Sequence, residues 1–481
     1  MSGPNEIEEL RAQVALAKTT IEALSKTVSA LAAKNEMLEG LVLRLTEELS
    51  RNSQNSNKPP SSDAPGGGAP RRNGPRGKRG GQKGHRGSHR ALIAPEGVAH
   101  VIHMFPARCD SCHERLPRTQ SLRPKRHQQT ELAPLAPEVT EWQRHTVKCP
   151  ACGHATLAHY DEDVLPKYAL GPRAMAVVAM LTGVYHLSRR DTAKLLFELL
   201  GLRISTGSVS NIERRMSDAV KPAVDEAWEA VQAAEVKHTD GTTWLRAGVT
   251  SSLWTVATAG VTVFKILANG QRETLEREIL PEQTGILVSD RATALKFWAM
   301  HLRQVCWAHL LRKFVSFAER DGPMRTIGRE LLDATKILFA YWFDFKEGRL
   351  TREQFAARVA PVRADFERTL RRGIDADIKG LSGSCADLWE HREALWTFVE
   401  VDDVEPTNNH AERELRRFVL WRKRSFGTQS DRGDRFAERL MTIAHTARKQ
   451  GREVLAFLVA CATRHLDGAS IGAAPSLFAA A

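Results

Sequence analysis

A heptad repeat runs through residues 5–50. Ile7, Val14, Ile21, Val28, Asn35, Val42 and Leu49 fall seven apart, and Leu10, Ala17, Leu24, Leu31, Leu38 and Leu45 fill the second apolar position. Apolar side chains at this spacing form a seam along one face of a helix, and a second helix covers that seam. β-Branched residues at the first position with Leu at the second favour a parallel pair, and an amide in the seam, here Asn35, sets register and strand number. The spacing therefore predicts a coiled-coil arm and a homodimer or larger assembly. The competing reading is one amphipathic helix packed on its own domain.

Beyond the arm, over residues 51–95, Asn, Ser, Pro and Gly dominate, and such a composition builds no core. Arg71, Arg72, Arg76, Lys78, Arg79, Lys83, Arg86 and Arg90 lie between Ala64 and Pro95 with no acid among them. They supply most of a net charge of +12. A flexible basic arm suits phosphate neutralisation along DNA; a solvated linker is the bland alternative. No apolar run approaches the ~20 residues of a membrane span. The acidic start, with Glu6, Glu8 and Glu9, lacks the basic-then-apolar order of a secretory signal. We expect an intracellular chain with no membrane partner, whose seven cysteines are thiols or metal ligands.

Two Cys-x-x-Cys pairs, Cys109/Cys112 and Cys149/Cys152, are separated by 36 residues. Each pair suits one turn clamped on a tetrahedral ion, and four thiolates close a structural Zn²⁺ site. This predicts a zinc ribbon over 100–160, with strands between Gln128 and Val147. His113 and His154 adjoin the pairs, so a Cys/His exchange in the ligand set stays open. Residues 168–230 read as helices. One is capped by Ser188 and turns in Ala193, Leu196 and Leu200; Gly201 ends it. The next starts at Thr206 and turns in Val209, Ile212 and Met216. Its outer face offers Ser208, Ser210, Asn211, Arg214 and Arg215, which suits a helix-turn-helix that reads DNA. An ordinary helical hairpin with a basic surface fits equally well.

From residue 235 the period changes to that of strands, in Val236–Asp240, Leu253–Thr258, Val261–Leu267 and Gly285–Asp290. Asp240 and Asp290 end two of these runs. A third acid, Glu412, lies in a helix that Asn408 or Asn409 is placed to cap, with Ala411, Leu415 and Phe418 on its inner stripe. Neighbouring strands lie ~4.8 Å apart, so two carboxylates can share a hard cation and a helix can add a third. Two such ions ~4 Å apart activate the attacking oxygen of a phosphodiester reaction and stabilise the leaving one. Singly, Asp240 reads as a turn residue, Asp290 as a cap for a helix over 292–297, and Glu412 as an i,i+4 partner of Arg416.

Further segments complete a pattern: Asn52-Ser-Gln-Asn-Ser-Asn-Lys-Pro-Pro-Ser-Ser-Asp63, Arg79-Gly-Gly-Gln-Lys-Gly-His-Arg-Gly87, Thr239-Asp240-Gly-Thr, Val288-Ser-Asp290, Cys306-Trp-Ala-His309-Leu-Leu-Arg-Lys313, Asn408-Asn-His-Ala-Glu412-Arg and Arg422-Lys423-Arg424-Ser-Phe-Gly-Thr-Gln-Ser-Asp-Arg432-Gly433. With these the chain resembles a DDE transposase of the IS-sixty-six insertion-sequence family over nearly its full length. The resemblance implies Asp240, Asp290 and Glu412 as the acidic triad, Mg²⁺ or Mn²⁺ as its cofactor, cleavage at transposon ends and strand transfer into target DNA. It implies DNA as partner, accessory transposition proteins, and a bacterial, cytoplasmic, nucleoid-associated setting. A catalytically inactive, transposon-derived DNA-binding regulator is the alternative. Cys306 and His309 resemble a signature found between the last two acids; two ligands are too few for a metal, so a packed Cys and a hydrogen-bonded His are expected there. Arg422, Lys423 and Arg424 are expected on phosphates near the site.

The expected fold is multidomain α+β. It runs from the coiled coil (5–50) and linker (51–95) through the zinc ribbon (100–160) to a helical DNA-binding domain (168–230). A ribonuclease-H-like α/β core (235–318 and 401–433) follows, split by a helical insertion (319–400) because 121 residues separate Asp290 from Glu412. Closing helices (434–467) and a loose tail (468–481) end the chain.

Overall fold

The computed structural model describes residues 4–50, 55, 91–120, 124–161, 164, 168–466 and 475–478. Arg71, Arg72, Arg76, Lys78, Arg79, Lys83 and Arg86 lie outside the described residues. The chain divides into two compact units. One comprises Met1–Ala69, Asp161–Arg189 and Gly207–Ala481, the other Pro70–Tyr160 and Arg190–Thr206.

The elements are those of a mixed α+β protein. Helix α1 spans Pro4–Ser50. A small antiparallel hairpin pairs β1 (Thr146–Lys148) with β2 (Ala155–Leu157). Helices α2 (Pro172–Ala179), α3 (Arg189–Leu200), α4 (Thr206–Ala219) and α5 (Lys221–Ala233) precede the main sheet. Its strands are β3 (Val236–Arg246), β4 (Val249–Ala257), β5 (Thr262–Leu267), β6 (Ile286–Ser289) and β7 (Arg303–Val305), with α6 (Arg272–Glu278) between β5 and β6. Helices α7 (Trp307–Ala318), α8 (Pro323–Lys346), α9 (Arg352–Asp375), α10 (Ser382–Glu390) and α11 (Thr397–Glu400) follow. Then come α12 (Asn409–Ser425), α13 (Asp431–Lys449) and α14 (Val454–Leu466).

The sheet order is β5-β4-β3-β6-β7. The first three strands are antiparallel neighbours, and β6 and β7 run parallel to β3. The sequence explains this split. β3, β4 and β5 follow one another through short turns, which closes antiparallel pairs; the parallel partners arrive only after longer crossovers. Trp244, Leu253, Phe264 and Ile266 of the sheet pack with Leu415 and Phe418 of α12 and Ala437 and Met441 of α13. A second core joins Ile286, Val288 and Val305 to α7–α11 through Trp307, Phe314, Phe366 and Trp396. The Thr351 capping box, closed with Gln354, starts α9. Between residues 319 and 400, α8 and α9 run 24 residues each, whereas α10 and α11 are short and parted by a turn at Glu393–Leu395.

Two expectations are corrected. The stretch from Gln128 forms no strand until Thr146. Its side chains alternate, but they are mostly exposed, and alternation without a neighbouring strand to pair with makes no ladder. The tail is not loose throughout: Leu477 is buried, its N–H donates to Glu226 at 3.0 Å, and Arg452 donates to the carbonyls of Ser476 and Phe478.

Candidate active site

Strand register builds the site. His238 of β3 pairs with Val288 of β6, so two residues further along Asp240 comes beside Asp290 on the same face. Ser289 pairs with Val305 of β7, and the next residue, Cys306, donates its N–H to the Ser289 carbonyl at 2.8 Å. Asp240, Asp290 and Cys306 thus form one row across three strands. Asp240 is a mid-strand residue, not a turn residue. Gly241 beside it is required by packing, because a Cβ there would meet the Trp254 ring at 2.6 Å.

Helix α12 brings Glu412 to this row. Ala411, Leu415 and Phe418 are buried on its inner face, as their spacing predicts. Asn408 precedes the helix, but its side chain makes no cap; it is fully buried and clips the helix to the sheet instead. Asn408 Nδ2 donates to the Thr239 carbonyl at 2.8 Å, its Oδ1 lies 3.3 Å from His238 Nδ1, and its N–H donates to Cys306 Sγ at 3.1 Å. Glu412 N–H donates to the Asn408 carbonyl at 3.2 Å, one helical turn on. Glu412 faces His309 of α7, with Oε1 3.8 Å from Nδ1. Asn408 is a positioning residue that the sequence reading passed over as a cap. Only its neighbours in space reveal its role.

The electrostatics register the crowding. Burial, then the charges of Asp290 and Glu412, push the Asp240 carboxyl up from 3.8 to about 8, against the Gly241 N–H bond and the Arg312 charge. Asp290 Oδ1 accepts from the Ala292 N–H at 2.9 Å, just before a short turn at Thr293–Leu295 that has no side-chain cap and stands in place of the longer helix expected. Arg303, buried beneath, donates to the Asp290 carbonyl at 3.1 Å. Burial depresses His309 together with the Arg312 charge, and burial raises the Cys306 thiol to about 11. Asp240, Asp290 and Glu412 are half-buried and near enough for the last two charges to act on the first, although their oxygens are not all within 4.8 Å of one another; Glu412 Oε1 is buried with no hydrogen-bond partner. A cavity of about 290 Å³ lined by Trp342, Phe345, Arg352 and Glu405 holds none of these acids.

The remaining predicted residues are dispersed. Asn211 and Arg214 are on the outer side of α4, whose Val209, Ile212 and Met216 are buried. Asn211 and Arg214 are exposed, and the Arg215 guanidinium sits 4.6 Å from the Tyr168 ring centroid. Ser210 accepts from Arg432 at 2.8 Å. Lys423 and Arg424 are exposed in the last turn of α12, whereas Arg422 turns back to donate to Thr242 and the Thr243 carbonyl.

Each Cys-x-x-Cys is built by local bonds. The His113 N–H donates to the Cys109 carbonyl at 3.0 Å and the Gly153 N–H to the Cys149 carbonyl at 2.8 Å. Gly153 at φ +74° makes its turn without Cβ strain. The backbone of Cys112, then that of Ser111, holds the Cys109 thiol below its ordinary range, and the backbone of Cys152, then that of Ala151, does the same for Cys149. Cys109 and Cys149 are half-buried, while Cys112 and Cys152 are exposed.

Among the described residues, one group of three or more Cys, His, Asp or Glu brings its ligand atoms within 4.8 Å of one another, and it is Cys306, His309 and Glu412. The thiols of Cys109, Cys112, Cys149 and Cys152 do not form a second such group. Each turn is closed by its own backbone bonds, and the Cys112 and Cys152 side chains are exposed. Closing two such turns on one another draws on a metal's own bond energy. The reading of Cys306 and His309 is corrected. Cys306 is packed, but His309 Nδ1 is buried without a hydrogen bond, and a third ligand is present.

A row of carboxylates, Asp240 from the middle of β3, Asp290 just past the end of β6 and Glu412 from the first turn of α12, stands out on the mixed sheet. The transposase IS66 family matches residues 167–435, more than half of the chain and a span that contains all three acids. The chain belongs to that family. A family of unknown function (DUF6444) matches residues 4–91. No curated protein matches the chain. No helix among the described residues is long and apolar enough to cross a membrane.

Proposed function

We propose that this transposase-family chain cleaves DNA at insertion-sequence ends and joins the freed 3′ ends to target DNA, with Asp240, Asp290 and Glu412 holding Mg²⁺ or Mn²⁺. The observation that carries the reading is geometric: the parallel β3–β6 register sets Asp240 beside Asp290 and Asn408 clips to the sheet the helix that bears Glu412, an arrangement whose crowded negative charge a divalent cation would relieve. The sheet order, with the first acid on the central strand and the second on its parallel neighbour, supports a ribonuclease-H-like core.

A bound divalent cation supplies electrostatic stabilisation of the phosphate oxygens and lowers the cost of generating the attacking oxygen. The chain's own contribution is placement. The β3–β6 register sets two carboxylates side by side, and Asn408 fixes the helix that delivers the third. Arg312, whose charge is felt by Asp240 and His309, is suited to draw a phosphate to the row. Lys423 and Arg424 extend positive charge along α12, Asn211 and Arg214 offer a polar helix face, and the basic linker residues add sequence-independent DNA affinity. In this reading Cys109, Cys112, Cys149 and Cys152 close on Zn²⁺ when the ion binds. The exposed seam of α1, with Ile21 65% and Leu24 59% accessible, supports pairing with a second copy.

The test is Glu412→Gln. DNA binding should persist, and Mg²⁺-dependent cleavage should fall at least ~100-fold. If wild-type protein binds ends but never cleaves with either cation, the chain is a DNA-binding regulator. Cleaved but never joined product makes it a nuclease.

A further inference from the structure

Cys306, His309 and Glu412 come from three places in the chain: the residue after β7, the first turn of α7 and the first turn of α12. Their ligand atoms nevertheless lie within 4.8 Å of one another. Two of these atoms, His309 Nδ1 and Glu412 Oε1, face each other across 3.8 Å, buried and without a hydrogen bond. A buried pair of polar atoms left unsatisfied costs ~1–3 kcal/mol per group, so the gap calls for an occupant. Zn–N and Zn–O bonds of ~2.0–2.2 Å at tetrahedral angles put such a nitrogen and oxygen ~3.3–3.6 Å apart, a few tenths of an ångström closer than the 3.8 Å found here. A thiol, an imidazole and a carboxylate are a donor set for a borderline-soft ion and a poor one for Mg²⁺. Cys306 Sγ already accepts the Asn408 N–H, the kind of outer bond that steadies a ligating sulfur. Access is open on one side: the Glu412 side chain is 33% exposed and that of His309 16%.

We propose that Cys306, His309 and Glu412 form a second cation site, for a thiophilic divalent ion of the zinc class, next to the carboxylate row and sharing Glu412 with it. The thiol proton leaves to solvent as the metal–sulfur bond forms. Three protein ligands leave one position open to solvent. Occupation draws Glu412 toward α7, so zinc opposes hard-cation chemistry at Asp240 and Asp290. That consequence rests on the function proposed above; the site itself does not.

The experiment uses the full chain, stripped of metal, reloaded with Zn²⁺, dialysed and assayed for metal by mass spectrometry. Wild type should hold one Zn²⁺ more per chain than Cys306→Ser and one more than His309→Ala. Loading with Co²⁺ should give a thiolate-to-cobalt absorption band that is weaker in Cys306→Ser. Both comparisons are differences, so zinc on the ribbon cysteines cancels. His309→Gln, nearer in size, serves if the alanine variant fails to fold. Equal zinc content and equal cobalt spectra in wild type and the variants overturn the site. Added Zn²⁺ should then suppress Mg²⁺-dependent cleavage by wild type at least ~10-fold more than by Cys306→Ser; equal suppression overturns the opposition. Zinc stoichiometry that behaves as expected in a protein with no Mg²⁺-dependent cleavage sinks the proposed function and leaves the site standing.

Discussion

Replacing Asp240 by Asn should stabilise the metal-free protein, by an amount that grows with pH. The folded chain holds the Asp240 proton up to about 8, whereas the unfolded chain loses it near 3.8. Between those values the folded state binds more protons than the unfolded one, so stability falls as pH rises through the window. Asparagine keeps the side chain's shape and removes the charge. The gap sets a ceiling of ~5–6 kcal/mol at ~1.36 kcal/mol per unit. Asp240 keeps some contact with water, so screening reduces the expected gain to ~2–3 kcal/mol at pH 8 and to nearly zero at pH 4. At ~2–4 °C per kcal/mol for a ~200-residue domain, the melting midpoint of Asp240→Asn should exceed that of wild type by ~5–10 °C at pH 8. The assay is a pair of melting series from pH 4 to 9 in chelator, read as the variant-minus-wild-type difference so that titrating groups remote from Asp240 cancel. Repeating it at saturating Mn²⁺ should shrink the difference, because the ion stabilises wild type by ~2.7 kcal/mol at one hundred times its Kd. A difference that stays flat with pH, or a variant less stable at pH 8, refutes the picture of three crowded carboxylates.

Three further outcomes are expected. Asn408→Ala leaves the Thr239 carbonyl and His238 without their partner and should cost ~2–4 kcal/mol by denaturant titration; the same variant should lose cleavage activity more than DNA affinity, since Glu412 is no longer anchored. Removing residues 1–50 should lower the assembly state in light scattering, and an unchanged mass would dismiss pairing through α1. Cys109→Ser and Cys152→Ser, one from each turn, should each lose one tightly held Zn²⁺ per chain, and unaltered metal content would remove the ribbon.

Much of the local architecture is legible in the residues. Heptad spacing marks α1 as a helix, and the inward sets Val209/Ile212/Met216 and Ala411/Leu415/Phe418 follow from periodicity alone. β-Rich runs ending in Asp240 and Asp290 mark β3 and β6. Local pattern misleads where a partner decides the outcome. Residues from Gln128 alternate like a strand yet find no neighbour before Thr146, and Asn408 has a capping residue's identity but spends its amide on the sheet. The Cys-x-x-Cys spacing encodes two local turns, Cys109–Cys112 and Cys149–Cys152, each closed by its own backbone bonds.

The sequence by itself therefore determined the elements and which faces of α4 and α12 turn inward, because helix and strand periods are written in residues a few positions apart. It also carried the list of acids. Tertiary structure decided which of those residues meet. Parallel register, which no local spacing encodes, sets Asp240 beside Asp290 and Cys306 next in the row. The α12 clip brings Glu412 within 3.8 Å of His309, more than a hundred residues away in the chain. Contacts of that kind depend on the packing of the whole sheet and its helices, and they turn a Cys-x-x-His pair with too few ligands into a trio.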